Sequence, residues 1–101
     1  MVTAAKNGHE NIVKILLENP EIDIYSTDNL DRTGLIWAAY EGHDKVFNVI
    51  LENSDFDINT KDIAGRSALI LASRDGHEEA VKLILQNPAV DVNAGKFFLL
   101  N

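Results

Sequence analysis

With 101 residues, 46% of them hydrophobic, the chain suits one small domain with a core of modest size, and disorder along its length is excluded. A net charge of −7 and a pI near 4.7 lack the basic footprint that phosphate backbones and anionic bilayers demand, so no nucleic acid and no membrane are expected among its partners. The absence of cysteine removes any disulfide framework or thiolate metal site. No apolar run approaches the roughly 20 residues that span a bilayer, and the first residues lack a basic-then-apolar signal, so an intracellular location is the expectation.

The first predicted element worth naming lies in NGHENIVKILL, Asn7 to Leu17, where Ile12, Ile15, Leu16 and Leu17 form an apolar stripe at helical spacing. The loop ENPEID follows, with Asn19 as the expected helix C-cap and Pro20 as the stop. A turn is expected over DNLDR, in which Asp31 tolerates a left-handed backbone better than most residues. Thr33 then reads as an N-cap for a short helix whose packing face carries Leu35, Ala38 and Ala39. After EGH a second stripe runs through Val46, Val49, Ile50 and Leu51, and Asn53 is its expected cap. The pattern then begins again. DINTKDIAGRS supplies a tight turn at Gly65 and an N-cap at Ser67; Leu69 and Ala72 mark the next short helix, and Ala80, Leu83, Ile84 and Leu85 the next stripe, ended by Asn87 and Pro88.

Superposing the chain on itself explains the recurrence. Gly8, Gly42 and Gly76 recur at 34-residue intervals, and so do His9, His43 and His77, which is the mark of a solenoid of helical hairpins. The Gly-His pair admits two readings. A zinc site needs three or four ligands converging within about 2 Å of the ion, whereas stacked hairpins set equivalent residues roughly 8–10 Å apart. A structural role is therefore expected: glycine closes the first helix, and Glu10, Asp44, Glu78 and Glu79 place negative charge in the first turn of the second. No metal and no cofactor are expected.

These units resemble the ankyrin-repeat family, whose turn and two helices carry a T-P-L-H-x-A word. Here the words are TGLIWA, Thr33 to Ala38, and SALILA, Ser67 to Ala72. Gly34 and Ala68 stand where the family favours proline, and the glycine is the costlier choice by roughly 1 kcal/mol. Ile36 and Ile70 replace the family histidine. The resemblance implies an all-α solenoid of about three helix-turn-helix units with short β-hairpin or turn connections. Residues 1–25 form a truncated first repeat, 26–59 a second, 60–93 a third and 94–101 a tail or partial cap. In that tail Phe97, Phe98, Leu99 and Leu100 would drive self-association if exposed.

The resemblance also implies a scaffold that binds a protein partner through a concave face of turn tips and first helices. Carried over by position, its contact residues are Leu30, Arg32, Tyr40 and Glu41 in the second unit and Lys61, Ile63, Arg66, Arg74 and Asp75 in the third. Thr27, Asn29 and Ala64, with Lys6 and Asn7 of the first unit, flank them. Leu30, Tyr40 and Ile63 would form the apolar centre and the arginines its border. The single tryptophan, Trp37, reads as buried between repeats, with a place in the binding groove as the alternative. Glu18, Glu21, Asp23, Glu52, Asp55, Asp57 and Asp91 carry the whole net charge and are expected along one solvated edge. Carboxylates that recur with a repeat serve turns and not a single catalytic pair, and no nucleophile, phosphate loop or cofactor motif is present, so no enzyme is expected. The alternative to a binding module is a piece of a longer array, or an artificial chain, with no independent function.

Overall fold

Six helices are found in a computed structural model that describes residues 1–52 and 55–92. They are α1 (Val2–Lys6), α2 (Glu10–Leu17), α3 (Gly34–Glu41), α4 (Asp44–Glu52), α5 (Ala68–Arg74) and α6 (Glu78–Gln86). The first helices stack in one layer, α1 on α3 on α5, and the second helices in another, α2 on α4 on α6. Both layers meet in one apolar core built around Phe47, Leu35, Ile50, Val13 and Ile84.

Local chemistry accounts for each hairpin. Thr33 accepts the Ile36 amide at 3.3 Å and Ser67 the Ile70 amide at 3.4 Å, so α3 and α5 start where a hydroxyl satisfies a free N–H. Gly42 closes α3 at φ 72°, with its own amide on the Ala39 carbonyl and the His43 amide on that of Ala38 at 2.8 Å. The same pair of bonds ends α1 at Gly8 and His9 and α5 at Gly76 and His77. Ala4, Ala5, Ala38, Ala39, Ala68 and Ala72 are all buried in the first-helix layer, where small side chains let the helices approach closely.

Gly34 belongs to that close approach. A Cβ placed on it would lie 3.1 Å from the Ala5 Cβ and 3.2 Å from the Met1 Cγ, so the glycine trades helix propensity for contact between α1 and α3.

Other expectations change. Asn87 follows α6 with an extended backbone at φ −78° and ψ 120°, not a left-handed one, and Glu18 ends α2 at φ −77° and ψ −14°. Asn19 and Asn87 act one step later instead: each side-chain oxygen accepts an amide two residues on, from Glu21 and Ala89, folding the chain into an Asx turn. Asn53 and the 94–101 tail, with Phe97, Phe98, Leu99 and Leu100, lie outside the described residues. The apolar stripes of the second helices are also only partly interior, with Ile12, Ile15 and Leu85 exposed. Among the described residues the turn connections form no strand, only one isolated antiparallel bridge between Lys61 and Ser67.

Candidate protein-binding surface

Each turn is organised by one aspartate. Asp28 and Arg32 pair across a three-residue loop, as do Asp62 and Arg66, and in each the Asp carbonyl accepts the amide three residues on. The residue that donates this amide must be left-handed: Asp31 at φ 56° in one loop, Gly65 at φ 76° in the other. Asp28 Oδ1 accepts the amides of Leu30 and Arg32, and Asp62 Oδ1 those of Ala64 and Arg66. The apolar tips are thus presented outward on a fixed base. Leu30 is 41% exposed and Ile63 64%, and the Ile63 amide donates to the Leu30 carbonyl at 2.8 Å, which sets the tips side by side.

Beneath the tips lies an ionic staple between the second and third units. Arg32 Nε donates to Asp62 Oδ2 at 3.1 Å, and Arg66 Nε reaches the same oxygen at 3.2 Å. The Asp62 side chain has no solvent exposure and that of Arg32 only 5%. Burial would raise the Asp62 carboxyl, but the Arg66 amide, the Arg32 side chain, the Ala64 amide and the Arg66 charge outweigh it and hold it below the ordinary value. At Asp28 burial likewise opposes ionisation and is outweighed by hydrogen bonds from Trp37 Nε1 and from the Arg32 and Leu30 amides, with the Arg32 charge adding to them, so its carboxyl also lies low.

The arginine border of the expected site is therefore divided. Arg32 is spent within the fold, 4% exposed, because its guanidinium is needed between two turns. That position corrects its expected place on the contact surface. Arg66 is half-buried on Asp62, while Arg74 and Asp75 at the end of α5, Glu41 at the end of α3 and Lys61 before the third turn are exposed. Thr27, Asn29, Ala64, Lys6 and Asn7 are exposed as well.

Trp37 is 7% exposed and held between cations, with Lys6 Nζ 4.4 Å and Arg32 Cζ 4.7 Å from its ring. Tyr40 meets it edge-on at 5.4 Å and takes the other contact of the Arg32 guanidinium at 4.6 Å. Lys6, Trp37, Arg32 and Tyr40 form one continuous polar-aromatic layer across the first two units, and the Arg32–Asp62 pair ties it to the third. Sequence reasoning did not single out Asp28 and Asp62 as its organisers. The signal was present in the recurrence of Asp-x-x-x-Arg in DNLDR and DIAGR.

The Gly-His pair also finds its purpose. His43 Nε2 donates to the Lys6 carbonyl at 3.0 Å and His77 Nε2 to the Tyr40 carbonyl at 2.9 Å, each capping the helix end of the unit before. A carbonyl can only accept, so the proton sits on Nε2 in both. Each ring packs so tightly on the preceding glycine that a Cβ on Gly8 would come within 2.9 Å of His43 and one on Gly42 within 2.6 Å of His77. Comparison with known families places residues 1–96 under a model of ankyrin repeats in three copies.

The chain belongs to the ankyrin-repeat family. Ankyrin repeats are in general protein–protein interaction modules, and the family is typically without enzymatic activity. A comparison with curated proteins finds no match. Among the described residues no helix of this ankyrin stack is long and apolar enough to cross a membrane. Of the seven acids expected along one edge, Glu52 ends α4 and Glu18, Glu21, Asp23, Asp55, Asp57 and Asp91 follow the second helices; all are exposed.

Proposed function

We propose that this chain binds a protein partner through the concave face of the stack, formed by the turn tips and the open side of α3 and α5, without chemistry of its own. The observation that carries this reading is the pair Leu30 and Ile63. They are exposed apolar residues, joined through their backbones and held outward on a buried ionic base. Tyr40 extends the apolar centre; Lys61, Arg66, Arg74, Glu41 and Asp75 give it a mixed-charge border suited to steering and register. Arg32 supports the face from beneath. In this reading the binding units are residues 26–59 and 60–93, with 1–25 as a shortened flanking repeat.

Rigid presentation favours affinity because little side-chain and loop freedom is lost on binding. The test is to select binders from a random peptide library on the intact chain and measure their affinity for a Leu30→Asp, Ile63→Asp double variant. A loss of tenfold or more with unchanged far-ultraviolet circular dichroism is expected. Binders indifferent to both substitutions would overturn the concave-face assignment.

A further inference from the structure

We propose that the loops after α2 and α4 form a second interaction surface, and that its occupant is an arginine of a basic protein segment, stacked on Tyr25 and held by the carboxylates around it. This goes beyond the concave-face reading and uses none of its residues.

Tyr25 and Asn59 are equivalent at the 34-residue spacing, and each begins from the same local fold. Asp23 Oδ1 accepts the Tyr25 amide and Asp57 Oδ1 the Asn59 amide, both at 2.9 Å, so the two residues leave matching Asx turns. Their side chains then diverge. Asn59 clasps its loop to the next one, donating from Nδ2 to the Ala89 carbonyl at 2.8 Å and accepting the Asp91 amide at 2.7 Å. A phenol ring cannot make that pair of bonds. Tyr25 instead meets Phe56, with ring centroids 4.7 Å apart and planes inclined at 50°. Phe56 is half-buried against the core and so fixes one ring, while Tyr25 stays 50% exposed. The first junction thus gives up the clasp that the second keeps, and leaves half of a large aromatic side chain in water.

The charge around this ring decides what can cover it. Neither residues 18–31 nor residues 52–60 contain a lysine or an arginine. Glu21 and Asp23 precede Tyr25 in its loop, and Asp55 and Asp57 flank Phe56; all are exposed, and among the described residues none of them forms an ion pair. A carboxylate that already accepts one amide keeps further lone pairs for another donor. An apolar occupant would strip water from these charges without replacing it, and an anionic one would be repelled. A flat, weakly hydrated cation meets both demands. Guanidinium stacks on an aromatic ring and donates in a fork to carboxylates, whereas the compact, strongly hydrated ammonium of lysine fits such a stacked site less well. The acidic edge draws in a basic segment, and the ring selects its arginine.

The experiment is a nuclear magnetic resonance titration of the full chain, at near-physiological ionic strength, with a short capped peptide of alternating glycine and arginine. Saturable shifts centred on the Tyr25 and Phe56 rings are expected, with weaker binding of the lysine counterpart. Tyr25→Asn copies the residue that works at position 59, so it is expected to keep the fold and to lose affinity by about threefold or more, while Tyr25→Phe retains binding. Three results overturn the proposal: no saturable shift, equal binding of the lysine peptide, or undiminished affinity in Tyr25→Asn, which would leave only unspecific attraction to the acids. The Leu30→Asp, Ile63→Asp double variant is expected to bind the arginine peptide like the wild type, so failure here and failure of the concave-face reading are told apart.

Discussion

Ile12 and Val46 occupy the same place in successive repeats and have nearly the same chemistry, yet one is 49% exposed and the other 2%. The contrast extends to whole helices. In the middle unit α3 buries every residue from Gly34 to Ala39, and α4 buries Val46, Phe47, Val49 and Ile50; in α2 only Val13 is buried, and in α6 only Ala80 and Ile84. Apolar stripes of equal strength thus reach different ends. What differs is the number of neighbours among the described residues, where the middle unit packs on a unit at either side and each of the others on one, and a stacked repeat gains stability from every unit it touches. The middle pair holds the stack together, and the outer second helices are its soft edges.

Truncating the middle should have the largest effect. Phe47→Ala removes a fully buried ring and is expected to cost about 3–5 kcal/mol, read as a lower urea midpoint, whereas Ile15→Ala should stay within about 0.5 kcal/mol. Equal costs would erase the distinction between middle and edge. Next comes the staple. Arg32→Ala leaves the buried Asp62 with Arg66 and two amides, and a loss of about 1–3 kcal/mol is expected, larger than that of the more exposed Arg66. Trp37, the single tryptophan, stacks on Arg32 and reports this change by its fluorescence.

The two glycines Gly42 and Gly76 sharpen the comparison further. Both sit at φ 72°, so alanine costs each roughly 1 kcal/mol of backbone strain. At Gly42 the new methyl also displaces His77, so Gly42→Ala should be the worse of the two, and His77→Ala should relieve part of the excess in a double-mutant cycle. Acid gives the smallest and most gradual effect. Asp28 and Asp62 titrate below the ordinary value of 3.8 when folded, so the stability they contribute is fully present above that value and is lost as pH falls through their folded values. Urea midpoints followed into acid should fall less steeply in Asp62→Asn, which starts from a lower plateau at neutral pH.

The repeat, the six helices and the N-caps Thr33 and Ser67 were legible because they rest on local spacing and on hydroxyls placed just before apolar runs. The exposed tips Leu30 and Ile63 were legible for the same reason, as apolar residues inside turn words. Contacts between repeats were not. A spacing of 34 shows that Gly42 and Gly76 are equivalent but not that one carries a histidine ring and the other meets nothing among the described residues. Arg32 looked like a surface cation because its partner lies 30 residues away in the next turn. Gly34 read as a cost to the helix, since its benefit is an approach to Ala5 and Met1 across two units. Asn19 and Asn87 were placed correctly at helix ends but given the wrong backbone, because an Asx turn and a left-handed cap draw on the same residue type.

The most direct test of this division is residue-resolved amide hydrogen exchange on the dilute wild-type chain. Slowest exchange is expected in α3 and α4, at the free energy of global unfolding, with α2 and α6 opening earlier through smaller, local events. Uniform protection across all six helices, or the strongest protection in α2 or α6, would contradict the claim that the middle unit holds the stack together.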